Sequence, residues 1–110
     1  MKIWLDDERD PKCKKIQEQF GAKGDEIWVK NANDAIQCIS QNIIESISLD
    51  HDLGENSGSG IQVANFIEEQ AFLGNLKRIK WAIHSMNPIG RINMERALNN
   101  AEKFWSSNNE

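Results

Sequence analysis

The sequence predicts an α/β fold in which a four-stranded parallel sheet, in the strand order 2-1-3-4, has helices on both faces. Two observations support this prediction. Short apolar runs and amphipathic helical segments alternate four times along the 110 residues, which is typical of parallel strands joined by crossover helices. Three of the apolar runs end abruptly in polar clusters, at the positions where ligands bind beyond the carboxyl ends of such strands.

The first strand is predicted over Lys2–Leu5, an apolar run that stops at a series of charged residues. The first helix is expected to begin at Asp10 and Pro11, because aspartate is a preferred helix cap and proline is favoured at the first helical position. We place the end of this helix at Gly21, since glycine readily adopts the left-handed conformation that closes many helices.

The second strand is predicted over Glu26–Lys30. Asn31 is expected to cap the helix that follows, with Asp34 three residues later in an arrangement that resembles a capping box. The apolar stripe of this helix has helical spacing and consists of Ala32, Ala35, Ile36, Ile39 and Ile43.

The third and fourth strands are predicted over Ser46–Leu49 and about Ile79–Ile83. The helix between them is expected to run from about Gly60 to Phe72, and Pro88 opens the last helix. Helical spacing predicts a buried stripe in each of these helices. The stripe of the helix from Gly60 consists of Val63, Ala64, Ile67 and Ala71. The stripe of the last helix consists of Met94, Leu98, Ala101 and Trp105. Trp4, Trp28 and Trp81 lie in the first, second and fourth predicted strands, and Trp105 lies on the stripe of the last helix. Core packing of the four tryptophans is therefore favoured over base stacking.

Composition and charge exclude several classes of function. The formal net charge is −4, so we do not expect a long nucleic-acid footprint. Residues 74–110 nevertheless carry 6 Lys+Arg against 3 Asp+Glu, which permits a local anion site. No apolar run approaches the ~20 residues of a membrane span, and the charged N-terminus does not resemble a signal peptide. We predict a cytoplasmic protein with one domain over residues 1–105 and a frayed tail over residues 106–110.

Acidic residues follow the first and third predicted strands. Asp6 and Asp7 come directly after the first strand, and Asp50 comes directly after the third. Carboxylates at one edge repel one another unless a cation lies among them or water screens them, and Mg²⁺ prefers oxygen ligands of this kind. The residues predict either a magnesium site formed by Asp6, Asp7 and Asp50, or a solvated loop in which Arg9 or a lysine compensates the charge.

Both histidines of the chain also follow predicted strands. His51 stands between Asp50 and Asp52, and His84 follows the fourth strand. Two histidines can share the acid–base work of phosphoester hydrolysis. We therefore predict a catalytic set formed by His51, His84, Asp50 and Asp52. In the alternative reading, Asp52 only caps the Leu53–Gly60 loop, and His84 is a strand-end histidine bonded to a neighbour. The Gly54–Gly60 loop is either a mobile lid or a simple connector.

The segment His-Ser-Met-Asn-Pro-Ile-Gly at 84–90 combines a helix start with small polar residues. Asn87 can cap the last helix, and the free N–H groups and the dipole of such a helix start attract anions. Gly90 leaves room for close approach of a ligand. The predicted phosphate-binding set is Ser85, Asn87, Gly90 and Arg91.

Three motifs resemble those of the cyclic-phosphate processing receiver-like domains: Leu-Asp-Asp-Glu-Arg at 5–9, Leu-Asp-His-Asp-Leu-Gly at 49–54, and the 84–90 segment. The resemblance covers essentially the whole chain. It implies a receiver-like (flavodoxin-like) fold with an altered active site and a role on cyclic phosphates, either at 2′,3′-cyclic phosphate RNA ends in RNA repair or in cyclic nucleotides. It also matches Asp6, Asp7 and Asp50 to the acidic pocket that binds Mg²⁺ in ordinary receivers, and Ser85 to their hydroxyl residue.

The chain departs from ordinary receivers after the fourth strand. Only one helix remains there, so no fifth strand delivers the phosphate-contacting lysine, and His51 and His84 have no counterpart of matching role. The function predicted first is a phosphoesterase that acts on a cyclic phosphate, with Mg²⁺ or with acidic residues that only orient the histidines. The alternatives are a module that binds such a phosphate without chemistry and a degenerate receiver phosphorylated at Asp50.

Overall fold

The computed structural model describes residues 1–108, which form a parallel sheet flanked by helices. The strands are β1 (Lys2–Leu5), β2 (Ile27–Val29), β3 (Ser46–Leu49) and β4 (Lys80–Ile83). The helices are α1 (Lys14–Phe20), α2 (Ala32–Gln41), α3 (Gly60–Phe72) and α4 (Pro88–Asn108). The strands lie in the order β2-β1-β3-β4, so the fold class and the strand order predicted from the sequence are confirmed.

The register of the sheet determines which residues meet at its carboxyl edge. Trp4 of β1 is aligned with Ser48 of β3, and Ser48 is aligned with Ala82 of β4. Because side chains alternate between the two faces of a strand, residues two positions further along lie on the same face. The next residues in this row are Asp6, Asp50 and His84.

The hydrophobic core lies between the opposite face of the sheet and the helices α2, α3 and α4. Both predicted stripes of α3 and α4 are buried in full. In α2 the residues Ala35 and Ile39 are buried, but Ile43 is 82% exposed. The prediction for Ile43 was wrong because α2 ends at Gln41, so the helical spacing no longer applies two residues later.

The start of α1 differs from the prediction. The helix begins at Lys14 rather than at Asp10 and Pro11. The Asp10 carboxylate accepts a hydrogen bond from the Lys12 N–H at 2.8 Å, and its carbonyl accepts one from the Cys13 N–H at 3.0 Å. The aspartate therefore closes a turn before the helix, which is a common alternative use of this side chain. The predicted end is confirmed, since Gly21 has φ +85°.

Asn31 and the remaining boundaries agree more closely with the sequence. The Asn31 Oδ1 atom accepts a hydrogen bond from the Asp34 N–H at 2.8 Å, as expected for a helix cap. The α4 helix continues to Asn108, so residues 106–108 of the predicted tail are helical; the last two residues of that tail lie outside the described residues. Within residues 1–108, no helix combines the length and the apolar character needed to cross a membrane.

Candidate functional site

Three adjacent strands end in buried polar residues. The residue after β1 is Asp6, which is 0% exposed. The residue after β3 is Asp50, which is 5% exposed, and the residue after β4 is His84, which is 6% exposed. The sheet hydrogen bonds continue through them, because the Asp50 N–H donates to the Leu5 carbonyl and the His84 N–H donates to the Leu49 carbonyl, both at 3.0 Å. Their backbones are therefore held as rigidly as the strands themselves, and their side chains are brought together at one edge.

The Asp6 carboxylate lies at the centre of this edge and has four hydrogen-bond partners. Its Oδ1 atom accepts from the backbone N–H groups of Glu8 and Arg9, both at 2.9 Å. Its Oδ2 atom contacts Arg9 Nη1 at 3.2 Å and His84 Nε2 at 3.1 Å. Burial raises the pKa of Asp6, but the hydrogen bonds from His84 and from Arg9 and Glu8 together lower that pKa to about 2. Asp6 is therefore ionised at neutral pH.

The His84 imidazole is enclosed by four residues. Its Nδ1 atom is 2.7 Å from Ser48 Oγ, and its Nε2 atom faces Asp6. The ring stacks on Trp4, with 3.9 Å between ring centroids and 7° between ring planes, and it meets the edge of Phe20. The side chain is only 2% exposed. An ionised carboxylate only accepts hydrogen bonds, so Nε2 carries a proton and Ser48–His84–Asp6 forms a continuous hydrogen-bonded chain.

Asp50 lies beside Asp6 but in a less favourable electrostatic environment. Its Oδ1 atom accepts from the backbone N–H of His51 at 2.9 Å, and its Oδ2 atom lies 3.5 Å from Arg9 Nη1. Burial raises the pKa of Asp50, and the negative charge of Asp6 raises it further, against the opposing effects of His84, the His51 N–H and Arg9. The two neighbouring carboxyl groups thus have pKa values shifted in opposite directions.

His51 lies against the first turn of α4 and is half-buried. A β-carbon built on Gly90 would overlap the Cγ and Cδ2 atoms of the His51 ring, so glycine is required there for close packing. The Nδ1 atom of His51 is buried and has no hydrogen-bond partner within the described part of the chain. His51 therefore retains hydrogen-bonding capacity, whereas both ring nitrogens of His84 are already bonded.

Most of the predicted phosphate-binding residues lie together at the start of α4. The Ser85 Oγ atom accepts from the Asn87 N–H at 3.1 Å, and Asn87 Oδ1 accepts from the Gly90 N–H at 2.9 Å, so Asn87 caps the helix as expected. The Asn87 amide also donates to the Asp52 carboxylate at 3.3 Å. The structure brings Asp52, Ser85, Asn87 and Gly90 into one hydrogen-bonded group, and their role in binding phosphate stays a prediction.

Arg91, the remaining member of that set, directs its guanidinium elsewhere. Its Nη1 atom donates to the Ile83 carbonyl at 3.3 Å, and its Nε atom pairs with Glu95 at 3.1 Å. Both residues of this ion pair are about half exposed, and an exposed pair of this kind contributes little stability. A phosphate contact from Arg91 would therefore require that its guanidinium leaves both this weak pair and the Ile83 carbonyl.

The Gly54–Gly60 loop is anchored at several points. Leu53 before it is 1% exposed in the core, and Asp52 pairs with Ser59 through a single antiparallel bridge. The Ser57 carbonyl accepts a hydrogen bond from the Ala32 N–H at the start of α2, at 2.9 Å. These contacts favour a connector over a lid.

The acidic residues that the sequence suggests for magnesium lie together, but the oxygen atoms of Asp6 already have hydrogen-bond partners. One oxygen each of Asp6, Asp7 and Asp50 lies within 4.8 Å of the others, which is compatible with shared binding of a cation. However, the Arg9 guanidinium already lies between Asp6 and Asp50. A carboxylate accepts about four hydrogen bonds, and the Asp6 carboxylate already accepts from four donors. An ion would have to displace one of these hydrogen bonds, so the magnesium site stays a prediction.

Ser48 and Trp4 are site residues that the sequence reasoning did not identify as such. The sequence pattern indicates only that Ser48 lies within a strand and that Trp4 packs in the core. The Trp4 indole donates to the Arg9 carbonyl at 3.0 Å, and the Trp28 indole donates to the Asp6 carbonyl at 2.7 Å, so tryptophans hold the loop after β1. The available signal was strand alternation, since Trp4 and Ser48 stand two positions before Asp6 and Asp50.

Comparison with known families agrees with this geometry. The model of the family described as "Cyclic-phosphate processing Receiver domain" matches residues 1–100. A search of curated proteins and a search of solved structures each found no match. The matched range includes all four strands and the three polar clusters that meet at the carboxyl edge. The chain therefore belongs to the cyclic-phosphate processing receiver domain family.

Proposed function

We propose that this domain is a phosphoesterase that hydrolyses a cyclic phosphate, either at an RNA end or in a cyclic nucleotide. The observation that carries the proposal is the Asp6–His84 pair, with 3.1 Å between Oδ2 and Nε2, at the same sheet edge as His51 and the start of α4. An imidazole aligned by an ionised carboxylate is a common arrangement in general acid–base catalysis. Family membership supports a phosphate substrate.

Hydrolysis of a cyclic phosphate requires both a base and an acid. A water oxygen bonds to phosphorus and gives up a proton, while one P–O bond of the ring breaks and its oxygen takes up a proton. We assign His51 to direct proton exchange with the water or the leaving oxygen, because its side chain is only half-buried and its ring bonds to no other group within residues 1–108. Asp50, which binds the His51 backbone N–H, and the adjacent Asp52 complete the proposed catalytic set.

His84 is the second acid–base residue in this proposal. Because Asp6 holds the proton on Nε2, Nδ1 is the nitrogen that can accept or return a proton, and it lies 2.7 Å from Ser48 Oγ. The Ser48 hydroxyl is both a donor and an acceptor. A proton can therefore pass between the partly buried serine and the enclosed imidazole.

The start of α4 is the proposed phosphate-binding region. Stabilisation of charge on the phosphate oxygens is the main requirement of such a site. The hydrogen bond from Asn87 to Asp52 is long and exposed, at 3.3 Å, so a phosphate oxygen can replace the carboxylate as acceptor. The Ser85 hydroxyl and the Arg91 guanidinium are the other proposed donors, and Gly90 allows close approach.

A second candidate function is a module that binds the same phosphate without chemistry. It is favoured by the enclosure of His84, whose side chain is 2% exposed with both ring nitrogens bonded. In that case His84 stabilises the fold and only the start of α4 contacts the ligand. Phosphorylation of Asp50, as in a degenerate receiver, is a third outcome that the same experiment can detect.

The test is incubation of the full chain with 2′,3′- and 3′,5′-cyclic nucleotides and with an RNA oligonucleotide that ends in a 2′,3′-cyclic phosphate. Products are read by mass spectrometry, with and without EDTA. The His51→Ala and His84→Ala proteins are compared with Asn33→Ala, an exposed residue of α2, as the control. Thermal unfolding of each protein establishes that it is folded.

The expected result is a mass gain of one water that is lost in both histidine variants and unchanged in Asn33→Ala. If no substrate gives a product, the hydrolase proposal fails. Equilibrium dialysis with the same ligands then tests the binding module, which predicts binding that depends on Asn87 but not on His84. A phosphorylated Asp50 after incubation with acetyl phosphate and Mg²⁺ would instead identify a receiver.

A further inference from the structure

The acidic edge requires a compensating positive charge. Asp6 and Asp50 are both buried, and one oxygen of each lies within 4.8 Å of the other and of an Asp7 oxygen. Like charges at this spacing and depth are costly unless a cation lies among them. A bound divalent ion could supply that charge, and so could the side chain of Arg9, which lies beside both carboxylates.

Arg9 is held in the position from which it can neutralise both buried carboxylates. Its Nη1 atom is 3.2 Å from Asp6 Oδ2 and 3.5 Å from Asp50 Oδ2. The Arg9 Cζ atom lies 4.3 Å from the centroid of the Phe20 ring, so the guanidinium also stacks on an aromatic face. A planar guanidinium with several donors is well suited to bind two carboxylates at once.

The backbone of Arg9 is held as well. Its N–H donates to Asp6 Oδ1 at 2.9 Å, and its carbonyl accepts from the Trp4 indole at 3.0 Å. Arg9 is thus bound to Asp6 through its backbone and through its side chain. This double attachment keeps the guanidinium at the acidic edge, because the chain cannot move without losing both sets of contacts.

Asp6 has no acceptor position left for a metal ion. Four donors, two on each oxygen, already occupy its carboxylate, and a carboxylate has about four such positions. Mg²⁺ demands near-octahedral geometry with oxygen atoms at about 2 Å. To bind there it would have to displace Arg9 or His84 from Asp6, and a guanidinium that remained nearby would repel it.

We infer that Arg9 is the permanent cation of this acidic edge, so that the folded domain does not bind Mg²⁺ at Asp6, Asp7 and Asp50 while Arg9 is present. Arg9 neutralises the charge of Asp6 and Asp50 whichever substrate the domain binds. Together with the hydrogen bonds from His84 and Glu8, its backbone N–H and its guanidinium keep Asp6 ionised without a metal. Removal of the guanidinium should therefore convert the edge into a binding site for a divalent ion.

The test compares the full wild-type chain with Arg9→Met and Arg78→Met. Methionine keeps an apolar stem over Phe20 but removes the charge. Arg78 is the matched control, since it forms an exposed ion pair with Glu102 at 2.9 Å. Thermal unfolding is measured in EDTA, in MgCl₂ and in NaCl of equal ionic strength, and binding of Mn²⁺ is measured directly by electron paramagnetic resonance.

Wild type and Arg78→Met are expected to show no rise in melting temperature with Mg²⁺ and no bound Mn²⁺. Arg9→Met is expected to melt lower in EDTA and to gain several degrees with Mg²⁺, because an ion that binds only the folded state stabilises it. Asp50→Asn introduced into Arg9→Met should abolish that gain, which would locate the ion at this edge.

Stoichiometric Mn²⁺ binding by wild type that Asp50→Asn abolishes would overturn the inference, and so would a folded Arg9→Met protein without any gain. If Arg9→Met does not fold, Arg9→Lys takes its place. Lysine keeps the charge but presents it as a single point, so a smaller gain with Mg²⁺ is expected. The wild-type titration decides the matter independently of either variant.

Discussion

His84 Nε2 lies 3.1 Å from Asp6 Oδ2, which joins the residue that follows β4 to the residue that follows β1. Because ionised Asp6 can only accept a hydrogen bond, Nε2 of His84 carries a proton. Nδ1 lies 2.7 Å from the Ser48 hydroxyl oxygen. The Asp6–His84 pair therefore fixes the orientation of the ring and keeps a proton on Nε2.

Replacement of Asp6 by asparagine is expected to destabilise the fold. The pKa of Asp6 is about 2 in the folded state against an ordinary value of 3.8, which corresponds to about 2 kcal/mol of unfolding free energy. Because the folded pKa is lowered, this stability is present above the ordinary pKa and is lost as the pH falls through about 2. Urea unfolding of wild type and Asp6→Asn across this pH range checks it; a constant difference would contradict the prediction.

Replacement of Asp50 by asparagine is expected to have the opposite effect. Burial, with the charge of Asp6 added, raises the pKa of Asp50 in the folded state. The contribution of protonated Asp50 to the unfolding free energy is therefore fully present below the ordinary pKa, and it is lost as the pH rises through the pKa of the folded state. At neutral pH, Asp50→Asn should raise the melting temperature by a few degrees, since its Oδ1 can still accept from the His51 N–H. A loss comparable to that of Asp6→Asn would refute this.

Replacement of Gly90 by alanine is expected to destabilise α4 although alanine is the better helix former. The new β-carbon would overlap the His51 ring, and such overpacking costs about 1–3 kcal/mol. In a His51→Ala background the clash is removed, so the same change should stabilise by about 0.5–1 kcal/mol. A double-mutant cycle measured by denaturant unfolding gives both values. The same sign in both backgrounds would show that the two residues are not in contact.

Replacement of Ser48 by alanine is expected to leave Nδ1 of the enclosed His84 without a partner. An unsatisfied buried polar atom costs about 1–3 kcal/mol. If His84 exchanges protons through Ser48, turnover should also fall and its pH profile should shift, and Ser48→Thr should restore both because it keeps the hydroxyl. Ser46→Ala, on the same face of β3, is the control. Loss of stability with an unchanged pH profile would limit Ser48 to a structural role.

Much of the fold was predictable because its signals are local. The bounds of β3 and α3 agree with the sequence, since strand composition and the helical spacing of apolar residues act within a few residues. The start of α1 was not predictable in the same way. Asp10 can cap either a turn or a helix, and local sequence does not distinguish the two. Ile43 was misplaced because spacing alone did not show that α2 stops at Gln41.

The sequence by itself determined that Asp6, Asp50 and His84 end adjacent parallel strands, and this placed them at one edge of the sheet. Only the tertiary structure decided what those groups bind. The partner of His84 is Ser48, on a neighbouring strand 36 residues earlier, and it depends on the register between β3 and β4. The position of Arg9 between two carboxylates depends on its packing against Phe20 and Trp4. Contacts of this kind arise from three-dimensional packing, which no spacing along the chain encodes.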